Sequence, residues 1–123
     1  MKIAVRLGLV LAIAIMTCNQ SRAGEPLVSG NDLIEGMRVC DVWNSGGDLD
    51  AADTGEAMQY LGYITGVYDA TSHLYNIPKG IRPKQLIAVV SEYLRSHAER
   101  WNEPGARLVS DALLETFPLK KQK

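Results

Sequence analysis

Reactive side chains are few in this 123-residue chain. It holds two cysteines, Cys18 and Cys40, and two histidines, His73 and His97. A thiol and an imidazole can work as nucleophile and base when folding brings them within hydrogen-bond reach. Cys40 and the histidines share no local signature of that kind. Two scattered histidines also fail to give a metal-ligand spacing. Asp48, Asp50 and Asp53 alternate like a calcium loop, but that loop's glycine and terminal glutamate are not at the required positions. Helix caps and solvated turn residues account for these aspartates. Gly46-Gly47 lacks the lysine and helix of a phosphate cradle. The five tyrosines stand mostly at core-like spacings. No metal, cofactor or catalysis is expected, which leaves binding as the activity.

Four helices are expected to position whatever the chain uses to bind. Gly24–Gly30 reads as an extended lead-in, and Asn31 as the cap of a helix reaching about Trp43. Leu33, Met37 and Cys40 share one face at i, i+4 and i+7, with Ile34 beside them. Gly36 weakens this helix. Asn44–Asp53 is polar and glycine-rich and reads as a loop. Asp53 with Glu56 resembles a capping arrangement for a second helix, expected from about Thr54 to Leu74. Its Met58, Leu61, Thr65, Tyr68 and Leu74 follow a helical period. Tyr60, Ile64, Val67 and Thr71 widen the apolar surface, so this helix is expected to be central.

Within it, "YLGYITGVYDA" (Tyr60–Ala70) carries Gly62 and Gly66, each costing about 1 kcal/mol against alanine in a helix interior. Their four-residue spacing predicts a side-chain-free edge where a neighbouring helix comes close. Asp69 opposes the helix dipole near the end and should have a specific partner, with Arg82 or a backbone amide as candidates. Pro78, Gly80 and Pro83 break the chain between Tyr75 and Pro83. A third helix starts at Pro83, with Leu86, Ile87, Val90, Tyr93, Leu94 and His97 on one face. Lys84, Glu92, Arg95 and Glu99 occupy the face between. Asn102 and Pro104 read as the start of a fourth helix, whose stripe is Leu108, Val109, Ala112, Leu113 and Phe117. Pro118 stops it. The class is all-α, a compact bundle of about four helices.

Residues 1–23 are expected to be a cleaved export signal. Lys2 and Arg6 precede the apolar run Leu7–Met16, and Ser21 and Ala23 take the small-residue positions of a signal-peptidase site. The run is too short for a membrane-spanning helix, which needs about 20 residues. Lipidation at Cys18 is the rival reading, disfavoured because Thr17 precedes it. Residues 24–123 then form a single domain. They retain ten of the thirteen basic residues and all fourteen acidic ones, a formal net charge of −4. Such a balance gives no field that would draw nucleic acid. Cys40 is the lone mature cysteine, expected either as a buried thiol or as a bridge between two copies.

The order of features is familiar. "GNDLIEGMRVC" (Gly30–Cys40), "YLGYITGVYDA", "LYNIPKGIRPKQLIAVVSEYLRSHAE" (Leu74–Glu99) and "GARLVSDALLETFP" (Gly105–Pro118) together resemble the Rap1a/Tai family of type VI secretion immunity proteins. The resemblance implies a periplasmic, helical, dimeric protein without catalytic activity. It would bind and block a secreted peptidoglycan amidase effector. Family members commonly have cysteine where Asn76 and Leu119 stand here, so an intrachain disulfide to Cys40 is ruled out. The alternative class is a small periplasmic chaperone of the acid-stress kind, or another non-catalytic envelope binding protein. Binding of unfolded clients below about pH 4, where carboxylates protonate, would favour the chaperone.

Loops on a rigid scaffold carry recognition. The candidate partner-binding residues are therefore Trp43, Asp48, Asp50 and Asp53 around the first loop, and Tyr75, Asn76, Lys79 and Arg82 in the second. Trp43, Tyr75 and Trp101 are the aromatic anchor candidates. Gly62, Gly66, Asp69 and Pro78 are expected to be structural.

Overall fold

Apolar periodicity gives four helices where the sequence places them. The computed structural model describes residues 24–120, so the proposed signal segment lies outside the described residues. The helices are α1 (Gly30–Asn44), α2 (Ala51–Thr71), α3 (Pro83–Ser96) and α4 (Gly105–Thr116). Short 3-10 turns follow α2 at Ser72–Leu74 and α3 at Ala98–Arg100. Among the described residues there is no strand, only an isolated antiparallel bridge between Ser29 and Pro104. The fold is an all-α bundle, and α2 touches each of the other three helices.

The cap of α1 is Ser29, not Asn31. Its hydroxyl accepts from the Asp32 N–H while the Asp32 carboxylate accepts from the Ser29 N–H at 2.7 Å, a reciprocal capping box. The Ser29 backbone and hydroxyl hydrogen bonds hold the Asp32 carboxyl below its ordinary range. The next two free N–H groups of α1 are met from elsewhere in the chain. Gly30 donates to the Glu103 carbonyl at 2.9 Å and Asn31 to that of Trp101 at 2.8 Å, while Gly105 donates back to Val28 at 2.8 Å. This clasp ties the start of α1 to the start of α4. It needs a glycine, because a Cβ on Gly30 would stand 2.5 Å from Leu108 Cδ1 and 2.7 Å from the Trp101 backbone. Trp101 itself is half-buried and donates its indole N–H to the Leu94 carbonyl at 2.8 Å. It is therefore a packing residue and not the anchor its type suggested.

At the centre, α1 crosses α2 over Tyr60. A Cβ on Gly36 would lie 2.6 Å from Tyr60 Cβ and 3.1 Å from its Cγ. The missing side chain lets α1 sit directly on the tyrosine, whose hydroxyl reaches across to Ser91 of α3 at 2.8 Å. Among the described residues Ser91 is the one buried polar residue of the core, and Tyr60 is 3% exposed. The two hydroxyls satisfy one another. Around them Ile64, Val90, Leu94, Leu108, Val109 and Leu113 are fully enclosed.

Gly62 and Gly66 do not make the expected close approach. Both are exposed, and a Cβ built on either meets nothing within 4 Å. Tyr60 and Ile64 face the core, which turns Gly62 and Gly66 outward on the opposite side, near Met58, itself 52% exposed. The close-packing glycines are Gly30 and Gly36. Asp69 is also solvent-facing, and among the described residues it has no ion pair or hydrogen-bond partner. Arg82 does not pair with it.

Arg100 locks the bundle beside the clasp, through the same Glu103. Its guanidinium pairs with Glu103 at 2.7 Å and Asp111 at 2.6 Å, and donates to the Tyr93 hydroxyl. That joins α3, the 3-10 turn and α4. His97 ends α3, stacked on Tyr93 with ring centroids 4.0 Å apart.

Two outcomes follow from this packing. Gly36→Ala forces a methyl into Tyr60 and should cost about 1–3 kcal/mol, whereas Gly62→Ala and Gly66→Ala should each stabilise by up to about 1 kcal/mol. Urea unfolding of the three variants checks both signs. Burial raises the Tyr60 phenol from 10.0 to about 12. Its ionised form is thus disfavoured in the fold, so the stability this tyrosine contributes is complete below pH 10 and is lost as pH rises through about 12. Tyr60→Phe should remove that loss from the alkaline unfolding profile.

Candidate docking surface

The end of α1 sets up the most exposed aromatic side chain of the fold. Gly46 has φ 84°, the left-handed conformation that glycine adopts freely. Its N–H donates to the Trp43 carbonyl at 3.0 Å, and that of Gly47 to Val42 at 2.9 Å. These two bonds close a Schellman ending on α1. The helix therefore stops with Val42 and Trp43 held on its outer side, 46% and 54% exposed. An adjacent exposed Val–Trp pair on an ordered helix is an unusual use of apolar surface.

Beside Trp43 runs a groove of about 650 Å³. From α1 it takes Cys40, Asp41, Trp43 and Asn44, and from α2 Leu61. Its α3 side holds Lys84, Ile87, Ala88, Ser91, Glu92 and Arg95. One Nη of Arg95 donates to both oxygens of Asp41, at 2.6 and 2.8 Å, and its other Nη stands 3.8 Å from Glu92. This triad ties the end of α1 to α3. Both Asp41 and Arg95 are partly solvated, so the pair adds register more than stability. On the other side of Trp43 lies a smaller hollow of about 260 Å³ with Gly47, Asp48, Leu49 and Thr54.

The sequence candidates divide between these positions. Trp43 and Asp48 are exposed and lie together. Asp50 caps α2, accepting from the Asp53 N–H at 2.8 Å. The capping role read for Asp53 therefore belongs to Asp50, and α2 starts three residues earlier than expected. Asp53 sits in the first turn, half-buried. In the second loop Tyr75 is 5% exposed and bonds to Thr71 at 2.8 Å. It is core, because the 3-10 turn after α2 rotates its ring inward. Asn76, Pro78, Lys79 and Arg82 are exposed. Asn76 anchors the loop by donating its N–H to the Phe117 carbonyl. Pro78 opens a tight turn closed by the Ile81 N–H, with Gly80 at φ 82°. Gln85 accepts from the Arg82 N–H at 2.9 Å.

The groove itself was not legible in the sequence. Asp41 and Arg95 meet across 54 residues, and Lys84 and Arg95 read only as a solvated face. Cys40 closes the groove's floor at 7% exposure as a free thiol, and burial pushes its pKa up. The buried-thiol reading describes its state in the fold.

Among the described residues no helix is long and apolar enough to cross a membrane. In comparison with known proteins, the family model of the Rap1a immunity proteins matches residues 29–119, from the α1 cap to just beyond α4. No curated protein matches the sequence.

Enclosure and a raised pKa both lower the thiolate population at the surface. Cys40 in the native chain should alkylate with iodoacetamide roughly tenfold or more slowly than in urea. Equal rates, followed by mass spectrometry, would mean the floor of the groove opens in solution.

Proposed function

Because the chain belongs to the Rap1a immunity protein family, we propose that after export it binds a peptidoglycan amidase delivered by a type VI secretion system and blocks its cleft in the periplasm. The observation that carries this reading is the family match across the whole helical domain. The geometry supports it. A bundle fastened by the Ser29–Pro104 clasp and the Arg100 cluster, which meet at Glu103, pays little ordering entropy on association. Among the described residues Trp43 is a strongly exposed aromatic, and it stands beside a groove of about 650 Å³, as an interface anchor should.

The action is obstruction, not turnover. Stable inhibition needs roughly 800 Å² from each partner. Trp43, Asp48 and the exposed turn residues Asn76, Lys79 and Arg82 would contribute to that area. Asp50, Asp53 and Tyr75 would support it from behind.

Residues 24–123, mixed with the secreted peptidoglycan amidase of the same strain, should abolish hydrolysis of purified sacculi near equimolar ratio. Trp43→Ala should weaken inhibition by about 30-fold, the equivalent of a 2 kcal/mol anchor, without lowering the unfolding midpoint. Undiminished hydrolysis in excess chain would refute the reading.

A further inference from the structure

A separate hollow of about 290 Å³ lies between α1 and α2 and shares no lining residue with the Trp43 groove. Its floor is apolar. Val28 from the lead-in, Leu33 of α1, and Tyr60 and Tyr63 of α2 line it, and Gly36 adds bare backbone. Its charged lining is of one sign. Asp32 of α1 and Glu56 of α2 stand on it, and among the described residues no lysine, arginine or histidine does. That separates it from the Trp43 groove, where Asp41 and Glu92 are met by Lys84 and Arg95.

Neither carboxylate of the hollow is neutralised within the fold. Asp32 uses one oxygen, Oδ2, to accept from the Ser29 N–H and the Ser29 hydroxyl, each at 2.7 Å. Its other oxygen takes no part in that cap. The same hydrogen bonds hold the Asp32 carboxyl below its ordinary range, so it is charged at neutral pH. Glu56 is half-buried, and the ion pairs among the described residues engage Glu35, Asp41, Glu92, Glu103 and Asp111 but not Glu56. Gln59 beside them brings an amide oxygen that can accept one more hydrogen bond.

These features restrict what can fill the space. A carboxylate would meet two like charges. A wholly apolar side chain would cover the floor but take water from Asp32 and Glu56 and give nothing back. Lysine and arginine meet both demands, because their stems lie along apolar surface while their charged heads stay with polar groups.

We propose that the hollow between α1 and α2 receives a basic side chain of the partner protein, its stem along Leu33, Tyr60 and Tyr63 and its cationic head against Asp32 and Glu56. That this partner is the amidase rests on the immunity reading. The chemistry of the inserted side chain comes from the hollow alone.

Two arms test this on residues 24–123. In the first, NMR spectra are recorded against a short peptide of Arg and Leu and against its counterpart with Glu for every Arg. The basic peptide should shift the Leu33 methyls and the Tyr63 ring. Glu56→Gln, which leaves the Ser29–Asp32 cap intact, should bind it about threefold more weakly, and Glu56→Lys about tenfold. Equal binding of the acidic peptide overturns the proposal. So do shifts located elsewhere, or unchanged affinity of Glu56→Lys. Shifts of the same residues that depend on protein concentration without peptide would assign the hollow to a second copy, and also overturn it. In the second arm, the amidase that the wild-type chain inhibits should bind Glu56→Lys about tenfold more weakly at low salt, the difference shrinking at high salt. If that amidase binds both chains equally, the hollow assignment fails while the immunity reading stands. If the wild-type chain binds no amidase but the peptide results hold, the immunity reading fails and the hollow assignment stands.

Discussion

One contact sets the arrangement of the bundle: the α1 backbone at Gly36 laid on the ring of Tyr60. A single added carbon there would stand 2.6 Å from the tyrosine, which no side chain occupies without shifting a helix. Because α1 lies so low, Leu33, Ile34 and Met37 reach the core, and Cys40 closes the floor behind Trp43. The same tyrosine carries its hydroxyl to Ser91, so α1, α2 and α3 meet around one buried aromatic residue. The groove is the space left outside that meeting point. Its shape follows from the core rather than from the loops around it.

Polarity is divided along the same lines. The hydroxyl pair inside is self-sufficient, and the Arg100 cluster neutralises the α3–α4 side with two carboxylates. Surface charge not consumed in this way is uneven. Asp48 stays free beside Trp43, and Lys79, Arg82 and Lys84 stay free at the start of α3. The groove sets two carboxylates, Asp41 and Glu92, and two cations, Lys84 and Arg95, around Trp43, Leu61 and Ile87. Membership of the immunity family gives such a surface an evident use.

Much of the fold was legible because helix periodicity and turn chemistry are local. Leu33, Met37 and Cys40 announced the buried face of α1, the polar, glycine-rich stretch from Asn44 marked its end, and Pro83 marked the start of α3. Caps were legible only to within two or three residues, because Ser29 and Asn31, or Asp50 and Asp53, compete for the same role. The glycines show where local reasoning stops. A spacing of four identifies an edge without side chains but not whether a neighbour faces it. Gly62 and Gly66 turned out to face solvent, while Gly36, read as a weakness, lies directly against Tyr60. Tyr75 was misjudged for a similar reason: a short 3-10 turn rotates it inward. The Asp41–Arg95 tie and the groove it bounds depend on residues far apart in sequence, so only the assembled bundle reveals them.

The most direct measurement is hydrogen–deuterium exchange of residues 24–123 with and without the amidase they neutralise. Docking through the Trp43 groove predicts slowed exchange in 43–50 and 79–88, with the outer face of α4 unchanged. Slowing confined to α4 and the Arg100 cluster, with both groove segments unaffected, would contradict it.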